Sequence, residues 1–165
     1  MRLLTLIRHA KSSWDHPELS DFERPLNERG RRDAPRMAAL IGKSLGRPDR
    51  LVTSPALRAI TTARVFAATL GIDEYALQVQ PRIYEATDAT LLKLVCGLDD
   101  GDRHVMMFGH NPGFSELAHR LARCAFDDMP TCAVVQIELA VKVWQDTHAG
   151  CGNLRHYLYP KQVKD

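Results

Sequence analysis

Leu3-Leu4-Thr5-Leu6-Ile7-Arg8-His9 follows the first two residues, and its reading decides the fold. The apolar run is short and branched and stops at polar residues, which predicts a buried strand over 2–8 rather than a helix. Arg8 and His9 then emerge at the carboxyl edge of a sheet, where open α/β folds bind ligands. A guanidinium beside an imidazole at such an edge suits an anion, and the imidazole is a candidate nucleophile.

Working outward, strands alternate with helical stretches. Asn27 reads as the cap of a helix over 27–45 with Glu28 in its first turn. Pro35 inside it predicts a kink, or a helix that starts just before the proline. A short strand over 49–53 runs into Ser54-Pro55, which reads as a cap followed by proline at the first helical position. That helix is expected to end at Leu70, closed by Gly71. Residues 77–83 form a weak strand broken by Pro81, and 87–98 a helix capped by Thr87 or Asp88. Residues 103–108 form another buried strand, ended by Gly109-His110-Asn111-Pro112, and 114–123 a helix. The last third changes character. Residues 133–144 alternate, as do 154–159 beyond a glycine-containing loop, so both read as strands, partly antiparallel. The stretch 133–144 is a candidate edge strand for pairing. Alternating β and α units predict an α/β fold: a three-layer α/β/α sandwich around a mainly parallel sheet. One domain is expected over 1–160, with 161–165 a frayed tail.

Composition narrows the class. At 165 residues, 45% hydrophobic and 25% charged, the chain is an ordinary globular domain with a real core. The formal charge is only +2, from 22 basic and 20 acidic residues, so any cationic site must be local and nucleic acid is not an expected partner. No apolar stretch is long enough to span a bilayer, and Met1-Arg2 meets charge too soon for a signal peptide. A cytoplasmic location without membrane association is expected. Cys96, Cys124, Cys132 and Cys151 show no paired spacing and read as reduced, buried small side chains. Cys151 near His156 supplies too few ligands for zinc. No metal or other cofactor is expected, and a monomer is expected with dimerisation left open.

Three strand ends deliver polar residues to one predicted edge: Arg8-His9, Ser54 to Arg58, and Gly109-His110-Asn111. Arg58 falls in the first turn of its helix, where free backbone N–H groups and the helix dipole also favour an anion. Each piece alone has an ordinary reading as a surface turn, a solvated helix start or a satisfied turn residue. Their convergence predicts a compact phosphate-binding pocket.

Leu6-Ile7-Arg8-His9-Ala10-Lys11-Ser12, Ser54-Pro55-Ala56-Leu57-Arg58-Ala59 and Gly109-His110-Asn111-Pro112 resemble the three signatures of the histidine phosphatase superfamily. Arg24-Pro25-Leu26-Asn27-Glu28-Arg29-Gly30-Arg31 and the lack of a large insertion are most similar to the small SixA-type phosphohistidine phosphatases. The resemblance runs from residue 3 to about 120, and Ala10 departs from the superfamily's usual glycine. It implies a phosphoglycerate mutase-like fold in its small form without a cap insertion. It also implies that His9 is a transiently phosphorylated nucleophile, with Arg8, Arg58 and His110 holding the phosphoryl oxygens.

The general acid is the open position. Glu85, between the third strand and its helix, matches roughly where the wider superfamily carries one, yet also reads as a helix-start glutamate. Asp15, Asp21 and Glu23 are weaker candidates. Arg24 could border the pocket and contact substrate or simply solvate its loop, and solvation is favoured for Lys11. The expected function is metal-independent hydrolysis of phosphohistidine on a protein. The alternatives are a phosphatase for small phosphomonoesters and a phosphate-binding module without turnover.

Overall fold

The computed structural model describes residues 1–163. Among them, six strands form one mixed sheet in the order β3-β2-β4-β1-β5-β6. β1 (Arg2–Arg8), β2 (Arg50–Thr53), β3 (Leu77–Val79) and β4 (His104–Gly109) are mutually parallel, while β5 (Val134–Leu139) pairs antiparallel with β1 and β6 (Gly152–Leu158) pairs antiparallel with β5. The strands are apolar on both faces because both are covered. Leu4, Leu6, Val105 and Met107 pack against Leu91 of α3 (Asp88–Cys96) and Phe114 and Leu117 of α4 (Gly113–Leu121). Ile7, Met106 and Phe108 face the other way, onto Met37 and Ile41 of α1 (Glu28–Ser44) and Phe66 of α2 (Leu57–Leu70). The expected α/β/α sandwich is therefore the fold.

Register places the site. Arg8 pairs with Gly109 across β1 and β4, and Thr53 pairs with Phe108 across β2 and β4. The residues that follow, His9, Ser54 and His110, consequently leave the sheet side by side at its carboxyl edge.

Several boundaries differ from those read in the sequence. α1 starts at Glu28, with Asn27 accepting from the Gly30 N–H, and continues through Pro35 instead of beginning there. Pro35 lies on the exposed side of α1, where water can satisfy the carbonyl its ring leaves unpaired. α2 begins at Leu57, not at Pro55, and Ser54 closes the preceding turn by accepting from the Ala56 N–H. β3 ends at Val79, and Pro81–Ile83 forms a 3-10 turn. The alternating stretch 133–144 leaves the sheet after Leu139, because Trp144 is drawn into the core. Its indole N–H donates to the Asp102 carbonyl at 2.8 Å, and its backbone N–H donates to the Asp100 carboxylate at 2.9 Å. β5 is moreover interior, between β1 and β6, so it offers no free edge. Pro160–Gln162 forms a 3-10 turn held by Arg36, which donates to the Pro160 and Val163 carbonyls; residues 164–165 of the expected tail lie outside the described residues.

α1 is seated on the segment that follows the nucleophile candidate. A Cβ at Gly30 would stand 2.2 Å from the Lys11 carbonyl oxygen, so only glycine permits this approach. Gly30→Ala is expected to lower stability by about 1–3 kcal/mol, read from the urea midpoint, because backbone rather than a flexible side chain must yield.

Candidate active site

The strand ends form a small cleft of about 200 Å³ bordered by Arg8, His9, Arg58 and His110. Arg8 extends the Leu4–Leu6 side of β1 and donates to the Met129 carbonyl at 2.9 Å, which fixes its guanidinium. His9 is buried, and its ring centroid lies 5.2 Å from that of His110. Its Nδ1 is 2.7 Å from the Ala10 carbonyl oxygen. A carbonyl can only accept, so the neutral ring carries its proton on Nδ1 and leaves a lone pair on Nε2. The Ala10 backbone is itself fixed, its N–H donating to Thr62 Oγ1 of α2.

Electrostatics keep both rings neutral. Burial is the main reason that the His9 pKa falls from 6.5 to about 3; the Ala10 carbonyl opposes the drop, while His110, Arg58 and Arg8 deepen it. His110 falls to about 4, first through burial and then through Arg58, with Asp21 opposing and Arg8 adding. His110 Nε2 lies 2.7 Å from Ser54 Oγ. That hydroxyl accepts from the Ala56 N–H and has no other acceptor for its own proton among the described residues, so it donates to His110 Nε2. The ring's own proton then resides on Nδ1, a donor that is buried without a partner among the described residues.

Arg58 enters from the first turn of α2 and is buried. Asp21 receives it twice, through its backbone carbonyl at 2.6 Å and its carboxylate at 3.0 Å. The same carboxylate accepts from Tyr84 Oη at 2.7 Å and from Arg24 at 3.1 Å. The Tyr84 hydrogen bond leads these effects in pulling the Asp21 pKa from 3.8 down to about 2. Tyr84 is correspondingly pushed up to about 12, by desolvation first and by Asp21 next.

The sequence-predicted residues thus separate. Arg8, His9, Arg58 and His110 meet at the cleft. Arg24 also reaches it but as a buried strut, donating to the Ser13 carbonyl and to Ser12 Oγ beneath the ring of Trp14, 3.3 Å away. Glu85 is exposed, adopts a positive φ of 58°, and is not among the residues lining the cleft. Glu23 is occupied in accepting from the Ser20 hydroxyl. Two residues act differently from what the sequence predicts. Ser54, which has the pattern of a helix cap, orients His110, and Asp21, one of three loop carboxylates, is the one that grips Arg58. A hydroxyl at the end of a buried strand was the available signal for Ser54, whereas nothing local marks Asp21.

The family model for the histidine phosphatase superfamily (branch 1) matches residues 4–87, which include Arg8, His9 and Arg58. The chain belongs to the histidine phosphatase superfamily. A SixA structure from Agrobacterium tumefaciens is 27% identical with a TM-score of 0.79, and the match covers 96% of this chain and 98% of that one. The protein histidine phosphatase SixA complexed with tungstate shares the fold at 22% identity and a TM-score of 0.79, covering 98% and 99%. An uncharacterized Mycobacterium tuberculosis protein is 29% identical over 165 residues, 94% of this chain and 100% of its own length. Within the superfamily this chain is SixA-like, a small form without an insertion, and a hydrolase of the phosphatase class.

Neutral, desolvated histidines make stability depend on pH. Unfolded rings take up protons near pH 6.5, while His9 and His110 resist until about pH 3 and 4 in the folded protein. The unfolded state therefore binds more protons across that window, and stability falls as pH drops through it. Urea midpoints at pH 5 are expected below those at pH 7, and His9→Gln with His110→Gln should flatten the difference.

Proposed function

We propose that the chain is a metal-independent phosphatase that works through a phosphorylated His9 and hydrolyses phosphohistidine on a protein. One observation carries this reading: the His9 Nδ1 proton is committed to the Ala10 carbonyl, so Nε2 is a free base beside Arg8, Arg58 and His110. Phosphoryl transfer asks a protein mainly for positioning and charge stabilisation, and these residues offer both. The guanidiniums of Arg8 and Arg58 would take phosphoryl oxygens, and the His110 Nδ1 proton would donate to another. Arg8 Nε and His110 Nδ1 are buried without a hydrogen-bond partner among the described residues, and a bound oxyanion would supply one.

His9 Nε2 attacks phosphorus as the P–N bond to the substrate imidazole breaks, and the departing ring nitrogen takes a proton from solvent. Water then attacks the phosphorylated His9; the P–Nε2 bond breaks, inorganic phosphate leaves and the neutral ring returns. The low His9 pKa keeps the nucleophile unprotonated across the physiological range without a separate base.

Substrate choice rests on the leaving group. The imidazole of phosphohistidine departs more readily than an alkoxide, which needs a carboxylic acid close by. Asp21, the carboxylate that accepts from Arg58 of the cleft, has its pKa lowered and is ion-paired, so it is ionised and a poor acid. Glu85 does not line the cleft. The relative from Agrobacterium tumefaciens carries the designation SixA and supports the same substrate class. The second reading, a phosphatase for small phosphomonoesters, depends on Glu85 reaching the leaving oxygen. A binding module without turnover would have no use for a free Nε2.

Hydrolysis of p-nitrophenyl phosphate and of a phosphohistidine-bearing protein, with chelator present, tests the proposal. His9→Ala should abolish both activities, and His110→Ala should cost about 10²–10³ in rate. Chelator and Glu85→Gln should leave the wild-type rate on phosphohistidine unchanged. Chelator sensitivity would overturn the metal-free claim, and loss of ester hydrolysis in Glu85→Gln would favour the second reading.

A further inference from the structure

Arg8 and Lys11 border the phosphoryl cleft and also a larger depression beside it, of about 490 Å³. One wall is the first half of α1, which contributes Arg29, Arg32 and Arg36; the facing wall is the turn after β6, with Lys161. The depression gathers six basic side chains against one carboxylate, Asp33, which Arg29 answers at 3.8 Å. Outside it, sixteen basic residues of the chain's 22 face nineteen acidic residues of its 20. The positive charge is therefore concentrated here, on a molecule that is otherwise net negative. Arg36 is engaged with the Pro160 and Val163 carbonyls. Arg32 and Lys161 are exposed and form no ion pair among the described residues.

Spacing indicates what would fit. Arg29, Arg32 and Arg36 follow one another at three and four residues, so they lie along one face of the helix. Seven residues of helix cover about 10 Å, more than a single phosphate needs. An extended peptide places alternate side chains roughly 6.6 Å apart, so two carboxylates of one strand could be met at once. A long polyanion such as RNA would extend past the depression onto the net-negative remainder of the molecule.

We propose that this depression is a second, non-catalytic anion site that takes Asp or Glu side chains flanking the phosphorylated histidine of a protein substrate. The proposal rests on the substrate reading above and adds what selects the protein. Arg8 belongs to both hollows, so a chain whose phosphoryl group sits in the cleft can lay its neighbouring residues along α1. Complementary charge of this kind acts on encounter and on KM rather than on the chemical step.

The test uses Arg32→Glu combined with Lys161→Glu, two exposed positions outside the catalytic cleft. Two peptides bearing phosphohistidine are compared, one with Asp and Glu around it and one with Asn and Gln. The double variant should lose about tenfold in kcat/KM on the acidic peptide, through KM, and lose little on the neutral one. Its p-nitrophenyl phosphate hydrolysis should match wild type, and high salt should erase the difference between the peptides. A second arm measures binding of the same two peptides without phosphate, by fluorescence anisotropy at low ionic strength. Wild type should favour the acidic peptide, and the double variant should not. Equal binding of both by wild type, or tighter binding of a single-stranded RNA than of the acidic peptide, would overturn the proposal. If neither phosphopeptide is hydrolysed while small esters are, the substrate reading fails, and the binding arm still decides the site.

Discussion

The parallel pairing of β1 with β4, in the register that sets Arg8 opposite Gly109, is the constraint on which the rest depends. Parallel strands put their carboxyl ends at one edge, and this register makes the next residue of each strand a histidine. A slip of one position would turn every strand residue to the opposite layer of the core, with Leu4 and Leu6 exchanging places with Ile7. The two apolar layers therefore hold the two imidazoles together. Gly109 permits the tight exit, since a Cβ there would meet the Phe114 ring at 2.4 Å. β2 adds Ser54 one position before the histidines, since Thr53 pairs with Phe108, and α2 adds Arg58 one turn later.

That packing also sets the chemistry. The cleft excludes water from two rings in a field of arginines, and a desolvated imidazole in such a field stays neutral. Neutrality with the proton fixed on Nδ1 is what a nucleophilic imidazole needs at Nε2. The same field attracts an anion, so under the proposed function substrate binding and nucleophile activation would come from one arrangement. Asp21 tempers it. By accepting from Arg58, Arg24 and Tyr84, it holds the loop over 11–26 against α2 and sets the orientation of the Arg58 fork.

Most of the fold was legible because both faces of the sheet are covered, which makes strands such as 103–108 unmistakably apolar. Arg8, His9, Arg58 and His110 were legible for the same reason, since each stands at a boundary that periodicity marks. The errors arose where a tertiary contact overrode a local signal. Ser54-Pro55 has the chemistry of a helix start, yet the Ser54 hydroxyl is used by His110 and the helix waits until Leu57. The alternation over 133–144 promised a long strand, but burial of the Trp144 indole against Asp102 ends it. Asp21 could not be singled out because its partners come from positions 24, 58 and 84, and only the folded chain brings them together.

The central claim is that the free Nε2 of His9 becomes bonded to phosphorus during turnover. Rapid alkaline quenching during hydrolysis of a labelled substrate, followed by peptide mapping, tests it directly, because phosphoryl groups on imidazole survive base and are lost in acid. An acid-labile, base-stable label on the peptide containing His9, absent from His9→Ala, is the predicted result. Full turnover with no label, or with a label carried on another residue, would contradict the account.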